Sequence, residues 1–401
     1  MKRTLPLWNL LSARTLTSAI AVAVVCAVPL PASVADAKTV AYVSLPDAGT
    51  IAVLDTATNV VTNTLPFGPA PKALAASQDG QHVYVADSNL LLVVDTSKQA
   101  VVATSGIGAA LNLALSPDGK FIYALQGNVV IVDATTNLPV NEVALSEHPT
   151  SYWNSMAVRR DGTVYVSRQT RDGTGKTLLA LLDPSTQTVT NVTIPGTHAN
   201  GIALSPSADV GYVLVDEGIE VLDTTTNTVI KTIPPASVDF PGYPPETVEV
   251  FDLVIFSSDG TRAYVQAANS NRILVIDAAL HQEIGSISLS EMTHLFARIA
   301  LAPGDRNLYG LVDSPKEGDP GLLVIDTTTQ QVVGTALQGS QTTGSDSQIV
   351  FLTVTDTVPG VPDAKTCAAL MCTGDSNGDG AVTINEIMTA VNNDLNGCPQ
   401  R

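Results

Sequence analysis

VLDTTTN, residues 221–227, keeps returning along the chain. Its relatives are VLDTATN from Val53, VVDTSKQ from Val93, IVDATTN from Ile131, LLDPSTQ from Leu181, VIDAALH from Val275 and VIDTTTQ from Val324. Seven copies in 401 residues describe a structural unit, since a catalytic site does not occur in sevens. The apolar run before each Asp reads as a strand. The Asp carboxylate can accept backbone N–H groups two residues on, and the closing Asn tolerates positive φ, so the polar half reads as a hairpin turn. The recurring Asp is therefore expected to be a turn device with no catalytic use.

Each copy sits in a unit of four short strands. In residues 72–104, KALAASQDG is a strand with a turn, QHVYVAD a second strand, LLLVVDTSKQ a third with its turn, and AVVATSG a fourth. Gly at the end of SQDG (77–80), SPDG (116–119) and SSDG (257–260) supplies the left-handed position of a tight hairpin. A tyrosine marks the second strand of every unit: Tyr42, Tyr84, Tyr123, Tyr165, Tyr212, Tyr264 and Tyr309, spaced by 39 to 52 residues. Four strands at that period predict the blades of a β-propeller. Third strands such as LLLVVD are almost continuously apolar, as strands covered on both faces are. The first unit begins at its second strand, VAYVSL, and the last ends in a lone first-type strand, QIVFLTVTD (348–356). Pairing the two completes one blade from both ends and removes the exposed edges of an open sheet. The expected fold is all-β, a seven-bladed propeller of four-stranded blades over residues 38–357.

YVSL, YVAD and YVSR, with the VIDTTT and SPDG turns, resemble the YVTN family of bacterial and archaeal surface β-propellers over about 320 residues. The resemblance implies that fold and a surface location; it names no ligand.

Charge narrows the partners. The chain is 45% hydrophobic and 14% charged, with a formal net charge of −18. Such a surface repels nucleic acid and anionic lipid. Lys2, Arg3 and Arg14 precede the ten-residue apolar run AIAVAVVCAV (19–28), which is too short to span a bilayer, and ASVADA follows. This is the pattern of a secretory signal, with cleavage expected after Ala37. The mature chain is expected to be exported, to the periplasm, the cell surface or the medium.

In a four-stranded blade the turns after strands one and three share one face of the ring. Here that set is short and stereotyped. The other face carries long, unrepeated loops at 146–154, 167–176, 233–252 and 313–321, with Tyr152, Trp153, Phe240 and Tyr243 beside Arg168, Arg171 and Lys176. Variable loops on a rigid scaffold are where binding usually sits, and exposed aromatics can anchor a glycan or a protein partner. Alignment of the repeats points Lys72, Leu111, Asn154, Asn200, Asp252 and Ala297 at the central channel, with His148, His198 and His294 a few residues earlier. Asn154, Asn200 and Asp252 are the donors a lactonase-like hydrolase with a channel metal would draw on. No C-x-x-C-H haem attachment occurs, and five histidines argue against a transition-metal or redox centre.

After the linker 358–366 the composition changes. DSNGDGAVTINEI (375–387) fits D-x-[DN]-x-[DN]-G-x₅-E at every fixed position. Asp375, Asn377 and Asp379 present oxygens from alternate positions, Ala381 its carbonyl, Thr383 a direct or water-borne ligand and Glu386 two carboxylate oxygens. Hard oxygen donors favour Ca²⁺ over zinc. Ile384, Ile387, Met388, Val391 and Leu395 then follow at helical spacing. The segment resembles an EF-hand loop and the dockerin-type repeat of exported bacterial proteins, with one loop where dockerins have two; the resemblance implies assembly through the tail. Cys367, Cys372 and Cys398 crowd this module of residues 367–401, where one disulfide, of three possible pairings, is expected. Three function classes follow: an exported binding or cell-surface interaction propeller, a lactonase-like hydrolase, and an assembly component docked by its tail.

Overall fold

The computed structural model describes residues 37–68, 71–145, 152–169, 177–236, 248–267, 269–270, 272–288, 296–312, 320–338 and 348–355. They form seven antiparallel sheets of four strands each. From the innermost strand outwards, blade 1 is Ile349–Thr355, Ala37–Leu45, Thr50–Asp55 and Val60–Pro66. Blade 2 is Pro71–Ala76, His82–Asp87, Leu90–Asp95 and Ala100–Gly106. Blade 3 is Asn112–Leu115, Phe121–Leu125, Asn128–Asp133 and Leu138–Ala144. Blade 4 is Tyr152–Val158, Val164–Gln169, Thr177–Asp183 and Thr188–Ile194. Blade 5 is Gly201–Leu204, Val210–Val215, Gly218–Asp223 and Thr228–Ile233. Blade 6 is Phe251–Phe256, Arg262–Ala267, Arg272–Asp277 and Gln282–Ser288. Blade 7 is Phe296–Leu301, Asn307–Val312, Pro320–Asp326 and Gln331–Gln338.

Burial follows each strand's place in its blade. The third strands are buried on both faces, as in Leu91–Val94, because a neighbouring blade covers each side. The outermost strands alternate, as in Val60–Pro66, because one face meets water. The core is a set of seven seams, one between each pair of adjacent blades, and the seam of blades 7 and 1 closes the ring. The closing strand pairs antiparallel with Ala37–Leu45, Val40 opposite Leu352 and Tyr42 opposite Val350. The two-ended blade expected from the sequence is therefore present, and the strand reaches back to Ala37, opposite Thr355.

The repeated turns behave as their chemistry dictates. In all seven, the Asp carboxylate accepts the N–H groups two and three residues on, at 2.7–3.3 Å. The fifth residue is left-handed in every copy: Asn59, Gln99, Asn137, Gln187, Asn227, His281 and Gln330 have φ of 49° to 59°. These bonds hold Asp133 and Asp223 below the usual carboxylate range, and the Ser185 hydroxyl, followed by the same N–H bonds, does so for Asp183. The Thr after the Asp ties the two turn sets of one face together; Thr96 Oγ1 donates to Gly80 O at 2.8 Å and Thr327 Oγ1 to Asp305 O at 2.7 Å. Gly80 has φ 70°, and a Cβ there would stand 2.6 Å from the Thr353 carbonyl of the closing strand, so only glycine fits.

The recurring tyrosine has a role that its spacing did not disclose. It is a strut between blades. Tyr165 donates to Asn227 Oδ1 at 2.7 Å, Tyr309 donates to Asn59 Oδ1 at 2.9 Å, and Tyr212 shares a 2.9 Å bond with His281 Nδ1. Each bond runs from one blade's second strand to the left-handed residue of the next blade's turn. Burial, with Asp55 nearby, pushes the Tyr309 hydroxyl up to about 12, so the strut stays protonated.

Candidate functional site

The innermost strands surround a polar cavity of about 470 Å³ on the ring axis. Leu111, Asn112, Ser155, Asn200, Asp252 and Arg298 line it, with Gln348 of the closing strand. Blades 1, 3, 4, 5, 6 and 7 each contribute.

Six positions aligned from the repeats mark the entry of the innermost strands. Lys72, Asn154, Asp252 and Ala297 are each the extra residue of a β-bulge against the second strand. Leu111 and Asn200 instead begin their strands with backbone bonds to Leu125 O and Leu214 O, both at 2.8 Å. A bulge re-aims side chains next to it, which is why such irregularities gather at functional sites. The structure brings Leu111, Asn200 and Asp252 together on the cavity. In blades 4 and 7 the residues after the bulge, Ser155 and Arg298, line it. Lys72 holds the bulge of blade 2 without lining the cavity. The side chains of Asn154 and Ala297 lie outside the described residues.

Arg298, Gln348, Asn112 and Ser155 are the polar groups on the cavity that sequence reasoning missed. Arg298 Nη1 meets Asp252 Oδ2 at 3.3 Å, an ion pair between blades 6 and 7 with both partners partly open to water. Gln348 is a junction. Its side-chain oxygen accepts Leu74 N at 3.1 Å, its carbonyl accepts Ser44 N at 2.9 Å, and its N–H donates to Ser44 Oγ at 2.7 Å. Asn200 Nδ2 donates to Phe251 O at 3.2 Å, and its side-chain oxygen has no partner among the described residues. The signal for Arg298 was its place one residue beyond an aligned position; for Gln348 it was its place just ahead of the lone closing strand.

Beside Asn200, His198 Nδ1 lies 2.7 Å from Asp216 Oδ2. Thr197 N and Oγ1 donate to the Glu217 carboxylate at 2.7 and 2.9 Å. This carboxylate-rich corner joins the turn Asp216–Glu217 to the entry of blade 5.

Among the described residues Asp252 is the one carboxylate on the cavity, and it is paired with the Arg298 guanidinium. Among the described residues no group of three or more His, Cys, Asp or Glu side chains is placed to hold a metal. The remaining expected site residues, Asp375, Asn377, Asp379, Ala381, Thr383 and Glu386, lie outside the described residues, as do Cys367, Cys372 and Cys398, His148 and His294, and the side chains of Tyr152, Trp153, Arg168, Arg171, Lys176, Phe240 and Tyr243. Among the described residues no helix is long and apolar enough to cross a membrane.

Residues 90–239 match the model of a family described as SMP-30/gluconolactonase/LRE-like region. The match spans blades 2 to 5. No curated protein matches the chain. Many solved structures share the fold, among them these three. Kuenenia stuttgartiensis hydrazine synthase superposes with a TM-score of 0.59 at 14% identity, over 75% of this chain and 92% of that one. A functionally unknown protein from Desulfotomaculum acetoxidans gives 0.62 at 16% identity, over 78% and 98%. The dihydro-heme d1 dehydrogenase NirN in complex with DHE gives 0.53 at 15% identity, over 78% and 75%. At these identities the likeness is one of fold.

Proposed function

We propose that the chain is an exported recognition propeller that takes a small hydroxyl-rich ligand, such as a glycan unit or a sugar acid, at the mouth of its central channel. One observation carries this: the unrepeated polar side chains converge on a single cavity, where Asp252 and Arg298 offer a paired acceptor and donor fork beside the free oxygen of Asn200 and the amide of Asn112. Paired amides and ions match vicinal hydroxyls, which donate and accept at once. Calorimetry against monosaccharides and aldonic acids tests it. Saturable binding that weakens at least tenfold in Asp252→Asn and Arg298→Met supports the reading; binding indifferent to both substitutions sinks it.

A second reading, lactonase-like hydrolysis, is favoured by the family match over residues 90–239. A pH-stat assay on a lactone panel decides between them: turnover lost in Asp252→Asn favours the hydrolase, and binding without turnover favours recognition.

The tail completes the proposal. Asp375, Asn377, Asp379, Ala381, Thr383 and Glu386 form the liganding pattern of a Ca²⁺ loop with a dissociation constant of about 10⁻⁴–10⁻³ M, the range of extracellular modules. Calcium titration of the chelator-stripped protein and of Glu386→Gln tests it; equal binding by both rejects the loop. Amino-terminal sequencing of the secreted protein tests cleavage after Ala37.

A further inference from the structure

A second cavity lies far from the channel, in the seam between blades 3 and 4 on the face of stereotyped turns. It measures about 550 Å³, within the rough 300–1,000 Å³ range of small-molecule sites. Its lining includes Phe121, Tyr123, Ile131 and Val140 as apolar surface, with Arg160 and Gln187 as polar groups.

Close contacts cross several other seams at this level. Between blades 1 and 2, Asn63 Nδ2 donates to Gln99 Oε1 at 2.5 Å. Between blades 5 and 6, Lys231 Nζ donates to Leu280 O at 2.8 Å, and between blades 7 and 1 a Cβ on Gly334 would stand 3.1 Å from Asn59 Nδ2. Neighbouring turns also reach across: Gln78 Nε2 donates to Pro117 O at 3.0 Å from blade 2 to blade 3, and Ser258 N to Asp305 Oδ2 at 2.6 Å from blade 6 to blade 7.

Between blades 3 and 4 none of these links occurs among the described residues. Asn141 holds the place of Asn63, yet its Nδ2 is buried without a partner among the described residues. Gln187 holds the place of Gln99 and faces the cavity. Pro117 has no N–H to donate across to the next turn. Tyr123 is 1% exposed, and its hydroxyl, which bridges blades in Tyr165, Tyr212 and Tyr309, makes no hydrogen bond among the described residues.

The charges on the lining are unequally committed. Asp118 is held by Lys120 at 3.0 Å and Asp161 by Arg159 at 3.2 Å. Arg160 makes no ion pair among the described residues. An apolar wall with one uncommitted guanidinium selects an anion with an apolar body, because a carboxylate and a guanidinium form a strong, oriented pair. We propose that this seam is a binding site for a small ring carboxylate, with Arg160 on the carboxylate, Phe121, Ile131 and Val140 on the ring, and Tyr123 and Gln187 hydrogen-bonding its polar substituents.

The test uses the whole chain and calorimetry with benzoate, cyclohexanecarboxylate and the neutral benzamide. Both carboxylates should bind saturably with one site, and benzamide at least about tenfold more weakly. Arg160→Gln, at an exposed position, should weaken the carboxylates by at least about tenfold with an unchanged melting temperature. Val140→Trp, also at an exposed position, should fill the cavity and remove binding. Absence of saturable binding, equal affinity for benzamide, or unchanged affinity in Arg160→Gln overturns the proposal; so does loss of benzoate binding in the channel variant Arg298→Met. A Val140→Trp chain that fails to fold leaves Arg160→Gln and benzamide to decide. The site is independent of the channel reading, and either can fail alone.

Discussion

The two ends of the ring follow opposite rules. On the face of stereotyped turns every blade repeats the same few bonds: Asp to two N–H groups, a left-handed residue at the fifth place, and in three seams a tyrosine reaching it from the previous blade. At the channel mouth no blade repeats another. Asp252 meets Arg298, Asn200 meets a carbonyl, and Gln348 stitches the closing strand to blades 1 and 2. Repetition holds the ring together, and departure from repetition gives the channel mouth its distinct chemistry. On the face of stereotyped turns the seam of blades 3 and 4 departs from the pattern, with the Asn141 amide unpartnered among the described residues.

Four perturbations bear on that contrast, in falling order of effect. Tyr309→Ala should cost about 3–5 kcal/mol in urea unfolding, because it opens a cavity in the closing seam against Phe351, 5.1 Å away between ring centroids. A loss near that seen for an exposed tyrosine would refute the strut. Acid should act next. The turn carboxylates Asp133 and Asp223 are depressed by the N–H bonds they accept, and Asp183 by the Ser185 hydroxyl and then by its N–H bonds. Their contribution is therefore complete above the unfolded value of about 4 and is lost as pH falls through the folded values. Melting temperature should drop below about pH 4, and the triple Asp→Asn variant, which keeps the acceptor oxygens, should flatten that drop.

His281 offers a milder switch. Burial, then Lys231, lowers its pKa, so its neutral form supports the bond to Tyr212. That stability is present above about 6.5 and is lost as pH falls below it. His281→Asn, the residue that VLDTATN and VLDTTTN use at this place, should erase the change in melting temperature between about pH 7 and 5. A persistent change would assign it to another group. The smallest effect on stability belongs to Arg298→Met. A partly exposed ion pair contributes about 0–1 kcal/mol, so unfolding should barely move while channel binding falls. A large destabilisation would make the pair structural and dissolve the contrast between the two faces.

The fold was legible because its determinants are local and repeated. The Asp and the left-handed residue of each turn lie four positions apart, so the sequence displays both at once. The closing strand was legible for the same reason, as a first-type strand without successors. The candidate site was half legible. Alignment found Asn200 and Asp252, and it found the bulge positions in blades 2, 4, 6 and 7. It missed Arg298, because a bulge shifts by one residue which side chain faces the lumen, and strand periodicity cannot register that shift. The pairing of Asp252 with Arg298 spans 46 residues and two blades, beyond what any local pattern encodes. The open seam could not be read either. Asn141 and Asn63 are the same residue type at the same place, and only the neighbouring blade decides whether the amide finds a partner.

The two-ended blade sets a timetable. Ala37–Leu45 is among the first parts of the ring to be synthesised, and its partner Ile349–Thr355 is the last. Until that partner emerges, Ala37–Leu45 keeps an unpaired edge and the seams at both sides of blade 1 lack Leu352 and Phe351. A nascent chain can build blades in order yet cannot lock the circle before nearly all of it has been translated.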